Sequence, residues 1–353
     1  MTEEKHRKFD VIIGNPPYQE EAHGDQKVFT APIYDKFMES AYNIGSIVEL
    51  ITPARFLFNA GGTPKTWNQK MLNDPHLKVT TYIGDSTKIF NDVEIAAGVV
   101  VTLHDFNKDF GAIKIFTAFP ALNAIRQKAA PTIKVNQVSE YMFIQNKFDL
   151  DALYADHPEY KNIIGSNGSD KRFRNNIFDK IDAFTVKPTS PDNIKVLGLI
   201  NNKRVWRYID RKYVDLTHPN LFKYKVLVPE SNGTGLVDNN VSTQVIGKPV
   251  IIGPNEAYTQ TFIGFNAFDR QNEAENAIKY IKSKFARTML GILKVTQHNP
   301  RTTWTQVPMQ DFTDKSDINW NTSIPEIDQQ LYKKYDLSQD EIDFIESHVK
   351  EMK

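Results

Sequence analysis

The chain contains no cysteine. Disulfides, thiolate zinc sites, iron–sulfur clusters and cysteine nucleophiles are therefore excluded together. It also lacks an apolar run of the roughly 18 residues that a membrane span requires, and its opening, MTEEKHRK, is charged. A cytoplasmic protein with no membrane contact is expected. The 8 histidines are scattered without HExxH spacing, so no metal centre is expected either. There is no net charge, since 43 Lys and Arg balance 43 Asp and Glu, which argues against a uniformly basic coat for nucleic acid.

What is present is an ordinary globular composition, 40% apolar and 24% charged over 353 residues. That is enough chain for about two domains, and it excludes a disordered or fibrous protein. The charge is unevenly spread. Between positions 195 and 225 the chain carries Lys195, Lys203, Arg204, Arg207, Arg211, Lys212, Lys223 and Lys225 against Asp210 and Asp215. The tail after Asp311 is rich in acid, including Asp314, Asp317, Asp340, Glu341 and Asp343. A local basic surface is expected in the middle of the chain.

Hydrophobic periodicity divides the chain. The β-branched run FDVIIG reads as a buried strand that ends at the turn-forming Asn15-Pro16-Pro17. Apolar residues spaced by three and four predict a helix over 32–43, and runs at 47–51, 79–83 and 98–103 predict further strands, separated by Gly61-Gly62, Pro64 and Pro75. Strands interleaved with helices predict an α/β layer on a mostly parallel sheet, ending near Pro120. Up to about Phe312, shorter strands at 195–200, 225–228 and 260–263, with turns such as Ser166-Asn167-Gly168 and Ser231-Asn232-Gly233, predict a second, mixed α/β domain. It holds one strong helix, within 272–294. Two capping-box signatures, Ser323-Ile324-Pro325-Glu326 and Ser338-Gln339-Asp340-Glu341, each open a short helix in the tail.

The residues that carry chemistry are Asn15-Pro16-Pro17-Tyr18, directly after a strand. A carboxamide oxygen and a neighbouring backbone carbonyl each accept one hydrogen of an amino group, while consecutive prolines stiffen the loop that presents them. Such a set suits the exocyclic amine of adenine, whose lone pair is delocalised into the ring and must be drawn towards tetrahedral geometry before it reacts. An aromatic ring beside it gives the base a face to stack on. A bare Asn-Pro-Pro is equally a stiff turn; the strand before it and Tyr18 after it separate the two readings.

FDVIIGNPPYQ resembles the catalytic motif of amino-directed DNA methyltransferases, in which NPPY marks the adenine-specific type. The resemblance implies that Asn15 and the carbonyl of Pro16 orient the adenine amine, that Pro17 belongs to the same catalytic loop, and that Tyr18 stacks on a base flipped out of the duplex. Ile51-Thr52-Pro53-Ala54-Arg55-Phe56-Leu57 is similar to the strand and turn that follow in these enzymes, and Lys88-Ile89-Phe90 to a later motif. Phe90 is then the stacking partner on the other face of the base; an ordinary core residue is the alternative.

Weaker likenesses at 197–208 (LGLINNKRVWRY), Ser231-Asn232-Gly233, 280–296 and 327–335 extend the resemblance to the large type IIG-like restriction-modification methylases, which combine modification and cleavage in one chain. In that family the carboxy-terminal region reads the target. Lys203, Arg204 and Arg207, interleaved with Trp206 and Tyr208, are the expected contacts to double-stranded DNA, with Lys171, Arg172 and Arg174 as a second group. The alternative is a solvated face whose aromatics turn into the core.

The family implies S-adenosylmethionine as cofactor, bound by a glycine-rich loop and an acidic residue that normally precede NPPY. Only 14 residues precede Asn15 here. Neither Tyr82-Ile83-Gly84-Asp85 nor Phe262-Ile263-Gly264-Phe265 makes a convincing permuted copy. The expected architecture is α/β: a partial Rossmann-like methyltransferase sheet over 1–118, a mixed α/β target-recognition domain over 119–312 and a helical tail over 313–353. A partner subunit, or an amino-terminal half of which this chain is a fragment or split product, is expected to supply the cofactor-binding half, with an unfamiliar cofactor surface within the chain as a lesser alternative. Any nuclease would likewise belong to a partner, since the sequence has no persuasive acidic pair with a nearby Glu-x-Lys following a strand. A non-catalytic DNA-specificity module, the remnant of such an enzyme, is the competing reading. Methyltransferases that act on glutamine side chains of release factors also use NPPY, but they are compact, and the long basic and aromatic carboxy-terminal region favours DNA.

Overall fold

FDVIIG forms a strand, β1 (Phe9–Gly14), and the amphipathic segment after it a helix, α1 (Tyr34–Ile44). The computed structural model describes residues 7–20, 31–59, 62–90, 95, 97–165, 171–231, 242–294 and 298–352. Gly61, Ser166-Asn167-Gly168 and Asn232-Gly233 lie outside the described residues. The chain divides into two compact units, Met1–Pro120 and Ala121–Lys353. No helix of the described residues is long and apolar enough to cross a membrane.

The first unit continues with β2 (Gly45–Pro53), α2 (Lys65–Asn73), β3 (Leu77–Ile83) and β4 (Val99–Asp105). Its four-stranded sheet has the order β1-β2-β4-β3. Only β1 and β2 are parallel; β4 runs against both β2 and β3. The expectation of a mostly parallel sheet is thus corrected. α1 gives β1 and β2 the crossover that a parallel pair needs, whereas β3 and β4 pair antiparallel, joined through residues 84–98 with a short 3-10 turn at Ser86–Lys88. Just before β4, Gly98 takes φ +74 and approaches the carbonyl of Ile83 so closely that a Cβ would lie 2.2 Å from its oxygen, so glycine is required there.

One face of this sheet is covered. Met38 and Tyr42 of α1, Trp67, Met71 and Leu72 of α2, and Phe56 and Leu57 pack on Val48, Leu50, Leu77 and Val100. Side chains alternate along a strand, so Ile12 joins this core while Phe9, Val11 and Ile13 point the other way. These three are 53%, 53% and 75% exposed. Among the described residues β1 pairs with β2 alone. FDVIIG is therefore an exposed edge strand, not the buried strand that its composition predicted. Register puts Ile47, Ile51, Val101 and Leu103, all half-buried, on the same open face.

The second unit opens with α3 (Pro120–Val135), β5 (Met142–Phe143), α4 (Leu150–Asp156) and α5 (Lys161–Ile164). It continues through β6 (Ile194–Ile200), β7 (Lys203–Ile209), β8 (Tyr224–Pro229), β9 (Val250–Ile252), β10 (Glu256–Tyr258) and β11 (Phe262–Phe268). These strands form two sheets, β10-β6-β7 and β5-β11-β8-β9, and the mixed α/β expectation holds. The helix expected within 272–294 is broken into α6 (Gln271–Lys282) and α7 (Lys284–Gly291). Ser283 caps α7 by accepting the Ala286 amide, and Asp328 accepts the Lys284 and Phe285 amides at 3.0 and 2.9 Å. Those acceptors take the amides that a continuous helix would have used internally. Both tail capping boxes are formed, at the starts of α8 (Ile324–Lys334) and α9 (Gln339–His348).

Candidate functional site

β1 and β2 are parallel and in register, Gly14 beside Leu50, so their carboxyl ends open on the same edge of the sheet. That edge is where α/β sheets ordinarily bind ligands. Asn15 leaves β1 there, and Pro53 and Arg55 stand at the end of β2 or just after it. A cavity of about 410 Å³ lies between them, lined by Asn15, Pro16, Tyr18, Gln19, Pro32, Tyr34, Pro53, Arg55, Gly62, Phe90 and Ile95. Its size falls within the range of small-molecule pockets, roughly 300–1,000 Å³.

Both walls are held by backbone bonds. The Glu20 amide donates to the Ala31 carbonyl at 3.0 Å and the Ile33 amide to that of Tyr18 at 3.2 Å, which ties the Asn-Pro-Pro-Tyr loop to the start of α1. On the other wall the Phe90 amide donates to the Ser86 carbonyl at 2.9 Å, and the Ser86 hydroxyl accepts the Ile95 amide at 2.7 Å.

The structure brings four of the expected residues, Asn15, Pro16, Tyr18 and Phe90, to one cavity. Pro17 is exposed and does not line it. The rings of Tyr18 and Phe90 meet edge to face, with centroids 6.4 Å apart and planes at 76°. A base sandwiched between them needs one ring to turn. The Tyr18 hydroxyl is buried with no hydrogen-bond partner among the described residues, and burial raises its pKa. Arg55 places a cation in the wall, a residue for which the sequence had suggested no role. The available signal was its position just past the strand that pairs with β1.

Neither of the two segments weighed as a cofactor loop fits S-adenosylmethionine. After β3, the Asp85 carboxylate accepts the amide and hydroxyl of Thr87 at 3.1 and 2.6 Å, so it caps a short turn. Gly264 lies within β11, where a Cβ would fall 2.3 Å from the Tyr258 hydroxyl. Its smallness serves packing against Tyr258. Gly264, being inside a strand, sits in no nucleotide-binding loop.

The basic residues of the second unit are dispersed. Lys203 and Arg204 stand exposed at the start of β7. Alternation puts Lys203 and Arg207 on one face of the strand and Arg204 on the other. The Arg204 guanidinium lies 5.5 Å over the Phe262 ring and donates to the Lys248 carbonyl; that of Arg207 lies 5.9 Å over Phe178. Trp206 is half-buried against Leu197 and Leu227, with the Lys195 ammonium 4.0 Å over its ring. Lys171 is exposed, Arg172 and Arg174 are half-buried, and Arg172 is bridged to Lys147 beside the fully buried Phe173.

Residues 1–90 match the model of the Eco57I restriction-modification methylase family. The match supports a restriction-modification methyltransferase, and it spans the Asn15–Tyr18 loop, Arg55 and Phe90. No curated protein matches the chain.

Proposed function

We propose that the chain is the base-holding and DNA-recognising part of a site-specific adenine methyltransferase of a restriction-modification system. It acts on the exocyclic amine of an adenine flipped out of double-stranded DNA, and the S-adenosylmethionine site is supplied from outside these residues, by a partner subunit or by an amino-terminal half. The observation that carries this reading is the convergence of Asn15, Pro16, Tyr18 and Phe90 on one cavity.

The Asn15 carboxamide oxygen and the Pro16 carbonyl accept the two amino hydrogens. Stacking on Tyr18, worth about 1–3 kcal/mol, offsets the few kcal/mol needed to extrude the base. Phe90 closes the other side once the rings align. The open face of β1 supports the need for a second polypeptide: a continuous apolar strand is the pattern of one covered on both faces, and here one face stays in water.

Calorimetry on the purified chain tests the division of labour. The chain alone binds no S-adenosylmethionine and retains a mixed-sequence duplex in a salt-dependent manner. In a reconstituted complex, adenine methylation is lost in Asn15→Ala and in Tyr18→Ala with folding retained; unchanged methylation in either refutes the assigned role. The misfit of the cofactor keeps a second reading, a DNA-specificity module without chemistry. That reading prevails where duplex binding persists and no complex methylates.

A further inference from the structure

β6 and β7 form a hairpin whose register runs from Ile194 beside Ile209 to Ile200 beside Lys203. The two residues left over, Asn201 and Asn202, make the turn, with φ +50 and +59. Positive φ at both central positions defines the type I′ turn, whose twist matches that of the strands. Glycine is the usual second residue of such a turn; here both positions carry a carboxamide.

Other asparagines with positive φ commit that group. The Oδ1 of Asn59 accepts from Asn68, that of Asn255 from Arg211 and that of Asn266 from the Ala267 amide. Asn201 and Asn202 make no side-chain hydrogen bond among the described residues, and both are exposed, as are Lys203 and Arg204 behind them. Beneath the tip the hairpin is anchored by Trp206 and Leu199 against the Leu197, Leu227 and Phe262 cluster. The Lys248 carbonyl accepts from the Arg204 guanidinium and ties Arg204 to the neighbouring segment.

We propose that this hairpin tip is the base-reading head of the second unit: Asn201 and Asn202 enter the major groove of duplex DNA and bond base edges, flanked by Lys203 and Arg204 on phosphates. The inference rests on the DNA reading given above and names the residues that set target preference. The major groove, about 12 Å wide, admits a two-stranded ribbon, and a carboxamide matches the N6 donor and N7 acceptor of adenine. A stiff hairpin with two uncommitted carboxamides side by side fulfils that requirement, whereas asparagine chosen for the turn alone would leave selectivity indifferent to its side chain.

The double variant Asn201→Gly and Asn202→Gly separates these two cases, because glycine suits positive φ and preserves the turn. The full chain and the variant are each compared on a mixed-sequence duplex and on a randomised duplex library from which bound sequences are selected. The wild-type chain enriches a motif containing A·T pairs. The folded variant loses preference at those pairs, by roughly 5- to 150-fold for each carboxamide removed, while its affinity for the mixed duplex changes at most a few-fold. The same motif from both proteins, or no motif from the wild type, overturns the hairpin assignment and leaves the DNA reading standing. Failure of the wild type to bind any duplex overturns both.

Discussion

Tyr18 presents its ring to the cavity but buries its hydroxyl where no described residue can bond it. A buried hydroxyl without a partner costs roughly 1–3 kcal/mol. Tyr18→Phe removes that oxygen and keeps the ring. The side chain as a whole is only half-buried, so the lower end of the range applies, a gain of about 1 kcal/mol. For a unit of this size that raises the melting temperature by roughly 3–6 °C, measurable by scanning calorimetry on the wild type and variant side by side. The stacking face is untouched, so methylation by the reconstituted complex stays near the wild-type level. Tyr18→Ala forfeits the stacking, about 1–3 kcal/mol, and slows methylation by roughly 5- to 150-fold. A phenylalanine variant that melts lower than the wild type, or that is as inactive as the alanine variant, would show that the hydroxyl has a partner in the working complex.

Asn15→Ala removes one of two acceptors for the amine and lowers the methylation rate by roughly 10²–10³-fold, read in single turnover; a loss below tenfold would remove Asn15 from the chemistry. Lys225 is fully buried and donates to the carbonyls of Leu221, Lys223 and Gly253 at 3.3, 3.1 and 2.7 Å. Burial pushes its pKa down to about 7, so the native state binds fewer protons than the unfolded chain from there up to about 10.4. Stability therefore rises with pH across that window, by less than about 1.4 kcal/mol per unit, since three carbonyls favour the ammonium. Urea melts at pH 7 and pH 9 show the rise in wild type but not in Lys225→Met; equal slopes would disprove it. Ser283→Ala loses the cap of α7 and about 1 kcal/mol of stability, and an unchanged urea midpoint would mean that Asp328 suffices. Val11→Lys on the open face of β1 leaves the melting of the chain within about 0.5 kcal/mol but abolishes methylation by the proposed reconstituted complex; wild-type methylation would refute β1 as the docking face.

The features legible in the sequence are those set by near neighbours. The helix over 32–43, both tail capping boxes and the strand-to-loop step at Asn15 each depend on a few consecutive residues, and the structure has them all. The misread features depend on distant partners. The apolar stripe of 272–294 continues past Ser283; the break there is reinforced by Asp328, over forty residues downstream. Arg55 reaches the cavity through the parallel pairing of β1 with β2, a long-range contact. The Asn201-Asn202 turn escapes a search for Asn-Gly because both residues tolerate positive φ without glycine.

The reading of FDVIIG as a buried strand fails in a more informative way. Six residues with no polar alternation save Asp10 have the composition of a strand enclosed on both faces. α1 and α2 enclose one face only, leaving Phe9, Val11 and Ile13 in water beside an edge that no described strand occupies. An apolar, hydrogen-bonding edge of this kind is an aggregation hazard that folded proteins cover or blunt, yet no proline, lysine or bulge interrupts it between Phe9 and Gly14. The same strand delivers Asn15 to the cavity. A second polypeptide that covered β1, as proposed, would therefore also border the Asn15 loop, which is where a methyl donor would have to stand to reach an amine bound by Asn15.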